Sequence, residues 1–143
     1  MNVFIVGSPL ETAKALDKRR LNKQIIECNQ IFNAMHGEKF WRNHPCTLQY
    51  MEHEDWLIYY TLCLENYKQG NDFGAERYSA FAEACRPYFH TQEYFDQMKR
   101  RLFTKDSKHY AQWAHLGTSE VNWYFVDGEW RYYKDGKRIY ETR

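Results

Sequence analysis

Apolar side chains recur at intervals of four and three residues within the segment 16–35. On an α-helix with 3.6 residues per turn, this spacing brings them to one face and predicts a buried seam made of Leu21, Ile25, Cys28, Phe32 and Met35. The opposite face carries polar residues, namely Arg20, Lys23, Glu27 and Gln30. The pattern therefore predicts an amphipathic helix with one buried side.

Capping residues indicate where the helical region begins. Ser8 is a good N-cap, because Pro9 follows at the first helical position and Glu11 completes a capping box. The short apolar run Val3–Val6 precedes this signal. We expect it to form either a short strand or an extended, buried N-terminal segment.

The helical region is expected to run to about Met35, with a joint near Asp17 and a glycine stop at His36–Gly37. The following stretch, Phe40–Gln49, is predicted to be a loop, since Pro45 disfavours a helical conformation at the residue before it. Apolar residues surround more than one face of Glu54–Lys68, which is therefore predicted to be the central, most buried helix. Further helices are predicted at Ala75–Cys85, Gln92–Phe103 and Ser107–His115.

The pattern changes near the C-terminus. Two Asp-Gly pairs, Asp127-Gly128 and Asp135-Gly136, separate three runs rich in aromatic residues. This is the strongest short-range signal for β-hairpins and predicts a small antiparallel meander. The expected fold is mostly α, a single helical domain spanning residues 1–143 with a small C-terminal antiparallel β-meander.

Composition narrows the classes of function. The net charge of +1 provides no global field for a polyanion, so any nucleic-acid site must come from a local cluster. The four cysteines show neither CxxC nor CxxH spacing and are expected to be reduced and mostly buried. No segment has the length and hydropathy of a signal peptide or a membrane span. We expect a cytoplasmic monomer with no metal and no cofactor.

Glu27 is the leading candidate for chemistry. It lies among Arg19, Arg20 and Lys23 on the polar helix face, where a carboxylate can stabilise a developing positive charge while the cations hold phosphates. Taken alone, this stretch is more typical of an exposed helix face with a Lys23–Glu27 ion pair at four-residue spacing.

Other basic residues provide candidate phosphate contacts. They are Arg42, in a loop with His44, and a cluster near residue 100 that includes Arg100, Arg101 and Lys105. Each group alone is typical of a solvated surface, and His44 is more typical of a hydrogen-bonded loop histidine than of a site residue. A shared phosphate-binding surface requires that the fold bring the groups to one side.

Three segments together resemble a known family. The run LDKRRLNKQIIECNQIF, the sequence Arg42-Asn43-His44-Pro45, and the ending Trp130-Arg131-Tyr132-Tyr133 with Gly136-Lys137 resemble the pyrimidine-dimer DNA glycosylases of the phage endonuclease V type. The resemblance implies a DNA glycosylase with abasic-site lyase activity, acting on double-stranded DNA with a damaged or modified base, in a bacterial or phage-infected cell. It further implies that the N-terminal α-amine attacks the sugar and that Glu27 is the essential carboxylate.

The sequence departs from the family pattern at two positions. The family's second residue is small, which allows removal of the initiator methionine, whereas an Asn at this position, as in Asn2, usually leaves the methionine in place. The amine is then that of Met1, or of Asn2 if Met1 is removed, or the lyase chemistry is lost. Ile26 also occupies the place of the family's arginine before the glutamate. A different lesion preference is an open alternative.

Two other classes of function remain open at this stage. One is a non-enzymatic DNA- or protein-binding module on the same scaffold. The other is an enzyme that acts on free nucleotides through the same carboxylate.

Overall fold

The helices fill most of the chain and the strands lie together at its C-terminal end. The structure, a computed structural model, describes residues 1–140. Within that range the helices are α1 Pro9–Ala15, α2 Lys18–Met35, α3 Pro45–Tyr50, α4 Glu54–Lys68, α5 Asp72–Ala84, α6 Gln92–Lys105 and a 3-10 helix at Ala111–Leu116. The strands are β1 Asn122–Val126, β2 Glu129–Lys134 and β3 Lys137–Ile139. The predicted fold class, mostly α with a small C-terminal antiparallel meander, is confirmed.

Capping explains the break between α1 and α2. The Ser8 hydroxyl accepts a hydrogen bond from the Glu11 backbone amide, and the Glu11 carboxylate accepts one from the Ser8 backbone amide, so the capping box is complete. Leu16 then takes an extended conformation, and Asp17 caps α2 by accepting from the Arg20 backbone amide. The predicted joint near Asp17 is confirmed.

The predicted loop at Phe40–Gln49 is wrong over its second half, because α3 occupies Pro45–Tyr50. Pro45 does hold His44 in an extended conformation, but that is the conformation an N-cap requires. The His44 ring nitrogen Nδ1 accepts from the Cys46 backbone amide at 3.0 Å. Pro45, from which a loop was predicted, is therefore the first residue of α3.

The buried face of α2 differs from the predicted seam. The fully buried residues of this helix are Leu21, Gln24, Cys28, Ile31 and Ala34. The predicted Ile25, Phe32 and Met35 are only partly buried, at the edge of the core. The seam is rotated toward Gln24, a polar residue that the apolar pattern left out.

Helix α4 is the central helix, as predicted, and packs against α1, α2 and α5. Its Trp56 and Tyr60 stack in a column with Tyr50 of α3, with ring centroids 5.3 and 4.8 Å apart. Of the cysteines, Cys85 is partly exposed; the other three are buried, and all four are free thiols. None of the helices within residues 1–140 combines the length and hydropathy that crossing a membrane requires.

The β-meander has the register that its turns impose. Asp127 and Gly128 both have positive φ, at 53° and 78°, as a two-residue type I′ hairpin requires. The hairpin pairs Val126 with Glu129, and β1 packs against α3 and α6. Strand β1 therefore presents Asn122 and Tyr124 to the N-terminal segment.

Candidate active site

Residues 1–6 form an extended segment that is not part of a sheet, in which residues 2–6 are buried and Met1 is partly exposed. A buried backbone without strand partners needs other hydrogen-bonding groups. Side chains supply them: the Val6 amide donates to Thr12 of α1 at 3.0 Å, Tyr60 of α4 donates to the Phe4 carbonyl, and Tyr124 of β1 donates to the Met1 carbonyl at 2.6 Å. Three elements thus fix the start of the chain.

Gln24 of α2 also holds the N-terminal segment, through both the oxygen and the nitrogen of its side-chain amide. Its Oε1 accepts from the Phe4 backbone amide at 2.6 Å, and its Nε2 donates to the Asn2 carbonyl at 2.9 Å. The Asn2 side chain donates to Asn122 of β1 at 3.0 Å. Gln24 is buried because the N-terminal segment uses it in place of a neighbouring strand.

These contacts place the first residues at the wall of a cavity of about 320 Å³. The cavity lies between the N-terminal segment, α2, α6 and the start of β1. Its lining residues are Met1, Asn2, Phe4, Arg19, Arg20, Lys23, Gln24, Glu27, Arg101, Lys105 and Asn122. The chain start and the candidate carboxylate therefore face one space.

Glu27 is the carboxylate that lines this cavity, and it is partly buried. Among residues 1–140 it forms no ion pair, so the expected Lys23–Glu27 pair is absent from the described part of the chain. Arg20 is the paired cation of the cavity, bound to Asp17 at 3.2 Å and to Asp106 at 3.8 Å. The Glu27 carboxylate is therefore available to interact with a ligand bound in the cavity.

The opposite wall, on α6, is crowded with positive charge. Burial lowers the pKa of Lys105, and the nearby cations Arg101, Lys23 and Arg20 lower it further, while Glu27 acts in the opposite direction. Burial also lowers the pKa of Arg101, whose Nε is buried without a partner among the described residues. An anion in the cavity would relieve this repulsion.

The N-cap of α2 fixes the orientation of Arg20. Burial raises the pKa of the Asp17 carboxyl, but hydrogen bonds from Tyr110 and Arg20 outweigh it and leave the pKa below its usual value. Asp17 therefore stays ionised and holds Arg20 along the helix edge.

Of the residues predicted from sequence, eight line the cavity: Met1, Asn2, Arg19, Arg20, Lys23, Glu27, Arg101 and Lys105. Arg100 points elsewhere, into a groove with Trp123 and Tyr132, and its Nε donates to the Leu116 carbonyl at 2.8 Å. Arg42 is exposed on its loop and donates to the Gly37 carbonyl at 2.9 Å.

His44 lies next to the cavity, not in its wall. Its ring contacts Tyr124, the residue that holds the Met1 carbonyl, with centroids 5.7 Å apart. Burial, and then the charge of the Met1 amine, lower the pKa of His44 to about 4. The ring is therefore neutral at pH 7, and it supports the chain start as a capping and packing residue.

Sequence reasoning missed Gln24, Phe4 and Asn122. No local signal marks Asn122, because its role depends on where β1 meets the chain start. Gln24 does carry a signal in retrospect, since a polar residue sits between Leu21 and Cys28 on the apolar face. Within residues 1–140, no group of three or more His, Cys, Asp or Glu side chains is arranged as a metal site requires.

Comparison with known proteins adds one match. Residues 1–67 match the model of a family described as pyrimidine dimer DNA glycosylase. Comparisons with curated proteins and with solved structures gave no match. The matched residues include the N-terminal segment and Glu27, but not Arg101 or Lys105. This match supports the family that the sequence resembles, the pyrimidine dimer DNA glycosylases, and with it a DNA glycosylase-type function.

Proposed function

We propose that this protein is a base-excision glycosylase with abasic-site lyase activity, acting on double-stranded DNA that carries a damaged or modified base. The observation that carries the proposal is the shared cavity, which brings together the first residue, Glu27 and a set of cations. An enzyme that acts on a base in a duplex must extrude the nucleotide, and a cavity rimmed by cations suits a sugar-phosphate.

The proposed nucleophile is the α-amine of Met1. An α-amine has a pKa of about 8, so a useful fraction is uncharged at neutral pH, unlike an ordinary lysine amine. Retention of Met1 is supported by Asn2, which is larger than the small second residues that allow removal of an initiator methionine. If Met1 is removed, the amine of Asn2 takes the role.

The proposed reaction begins with attack of the amine on the sugar and ends with release of the amine. The amine nitrogen attacks C1′ of the damaged nucleotide, and the bond from C1′ to the base breaks, so that the base leaves with the electron pair and takes up a proton. The C1′–O4′ bond then opens, O4′ receives a proton, and a Schiff base links the protein to the sugar. Loss of a proton from C2′ expels the 3′ phosphate, and water hydrolyses the Schiff base to return the amine.

Glu27 has two proposed roles in this sequence. Its carboxylate stabilises the positive charge that develops on the sugar as the base leaves, and it assists proton transfer at the ring-opened sugar. Arg19, Lys23 and Lys105 would bind the flanking phosphates, since none of them forms an ion pair among the described residues.

The test is the substitution Glu27→Gln, which keeps the shape of the side chain and removes its charge. We expect it to retain DNA affinity and lose strand cleavage on abasic-site and lesion-bearing duplexes. Glu65→Gln is a matched control, because Glu65 is also a partly buried helical glutamate without an ion pair in residues 1–140. Full strand cleavage by the Glu27→Gln variant would remove Glu27 from the mechanism. Absence of cleavage by the wild type, with DNA binding unchanged in the variant, would instead favour a non-enzymatic binding module.

A further inference from the structure

The loop between α2 and α3 presents two aromatic side chains to solvent. Phe40 is 80% exposed and Trp41 is 46% exposed. Trp41 also has a φ of 65°, in the left-handed region that a bulky residue rarely adopts. A large apolar side chain held outward in an unfavourable backbone conformation suggests a binding role for the ring, because such strain tends to occur at functional sites.

The surrounding contacts hold this conformation in place. The Trp41 carbonyl accepts from the His44 backbone amide at 3.1 Å, and Arg42 closes the loop by donating to the Gly37 carbonyl at 2.9 Å. The Trp41 ring meets the His44 ring edge-on, with centroids 5.5 Å apart. His44 is itself fixed as the N-cap of α3. The tryptophan is therefore a positioned side chain.

The same contacts connect the loop to the candidate active site. His44 lies between Trp41 and Tyr124, and Tyr124 holds the Met1 carbonyl. Trp41 is thus connected to Met1, which bears the proposed nucleophile, through His44 and Tyr124. Lys39 and Arg42 flank the aromatic pair in sequence, and neither forms an ion pair within residues 1–140. Exposed aromatic rings between free cations match a ligand that combines flat bases with phosphates.

We propose that Trp41, with Phe40 beside it, stacks against a nucleobase of the DNA near the extruded nucleotide and thereby stabilises the distorted duplex. This inference rests on the proposed function, since it assumes that DNA is bound at the adjacent cavity. A stacked aromatic ring binds any base through its π-face, so the contact adds affinity without selecting a sequence.

The test compares Trp41→Gly, Trp41→Phe and Phe73→Ala. Glycine removes the ring and readily adopts a positive φ, so the loop is expected to keep its shape. Phenylalanine keeps a ring for stacking. Phe73 of α5 is a control, because it is an aromatic residue that is 76% exposed and does not line the cavity. The probe is a duplex with one tetrahydrofuran abasic analogue, which binds but does not react.

We expect Trp41→Gly to raise the Kd for this duplex roughly tenfold, Trp41→Phe to recover most of the loss, and Phe73→Ala to bind like the wild type. Intrinsic fluorescence should be quenched on binding in the wild type and less so in Trp41→Phe. Equal Kd values for the wild type and Trp41→Gly would overturn the inference, and so would an equal loss in all three variants. A protein-docking role predicts the first of these results.

Failure of this inference is distinguishable from failure of the proposed function. Borohydride reduces a Schiff base to a stable covalent adduct, so it traps the proposed intermediate on abasic-site DNA. If the wild type is trapped and the Kd of Trp41→Gly is unchanged, only the stacking role of Trp41 is excluded. If the Kd of Trp41→Gly is raised but the wild type forms no adduct, the DNA contact of Trp41 is supported and the proposed Schiff-base chemistry is excluded.

Discussion

The substitution Gln24→Met tests whether the position of the chain start matters for activity. Methionine fills a similar volume but cannot replace the two hydrogen bonds, of 2.6 and 2.9 Å, that Gln24 makes to the Phe4 amide and the Asn2 carbonyl. Phe4 and Asn2 are only 8% and 6% exposed, so water does not readily replace these bonds. Each buried unpaired group costs about 1–3 kcal/mol, so the two groups together predict a loss of roughly 2–6 kcal/mol in the free energy of unfolding.

The substitution should slow catalysis as well as lower the free energy of unfolding. A displacement of a reacting group by about 1 Å lowers a rate on the order of 100-fold. We therefore expect Gln24→Met to reduce the single-turnover rate of cleavage of abasic-site DNA by about two orders of magnitude, measured below the melting temperature. The Kd for DNA should change little, because the cations on α2 and α6 remain.

The control for this experiment is Gln49→Met. Gln49 is also buried, at 4% exposure, and bonds to the Phe125 amide at 2.7 Å and to Tyr94 at 3.3 Å, but it does not line the cavity. It should lose comparable stability and keep the rate. A full rate in Gln24→Met, or the same rate loss in both variants, would refute the reasoning.

Three further predictions follow from the charges around the cavity and from the histidines. Arg101→Gln should weaken binding to abasic-analogue DNA and lower the slope of log Kd against log salt concentration by about one. The control is Arg100→Gln, which changes the adjacent residue, in the other groove, and should affect both quantities much less. Equal effects of the two substitutions would contradict the assignment of Arg101 to the cavity. Lys105→Met should also weaken DNA binding. It should not lower the free energy of unfolding at pH 7, because the charge of Lys105 is repelled by nearby cations such as Arg101 and Lys23. A loss of stability in urea titrations would contradict this expectation. Burial lowers the pKa of His90 well below its usual value and that of His44 to about 4, so the unfolded chain takes up protons below pH 6.5 that the folded chain does not. Stability should therefore fall as the pH decreases from 7 to 4.5, and His44→Asn, which keeps a capping side chain, should reduce that slope; a slope equal to that of the wild type would be contrary to expectation.

Local signals explain what the sequence predicted well. The Ser8 capping box and the Asp-Gly turns depend on residues within four positions of one another, and their backbone conformations follow from the residues themselves. The end of α2 at Met35, followed by Gly37 with a φ of 107°, is of the same kind. Helix and hairpin boundaries set by such signals were predicted closely. Helix α3 was missed because the capping role of His44 was not recognised, and the helix predicted at Ser107–His115 is a 3-10 helix at Ala111–Leu116.

Long-range packing explains what the sequence did not predict. Gln24 is buried because its amide bonds to Phe4 and Asn2, which lie 20 and 22 residues earlier in the chain. A periodic pattern of apolar residues does not reveal such a contact. Likewise, Arg100 and Arg101 look equivalent in sequence, yet only Arg101 faces the cavity. Which basic residues converge on Glu27 depends on how α6 packs against the rest of the fold, and the local sequence of α6 does not determine that packing.

The most direct test of the central claim is to map the covalent adduct on the protein. Wild-type protein is incubated with abasic-site DNA and borohydride, and the adduct is located by proteolysis and mass spectrometry, which also identifies the first residue. We predict an adduct on the α-amine of the N-terminal peptide and its loss after selective N-terminal acetylation. An adduct on Lys23 or Lys105, the other amines in the cavity, or no adduct at all, would contradict the account.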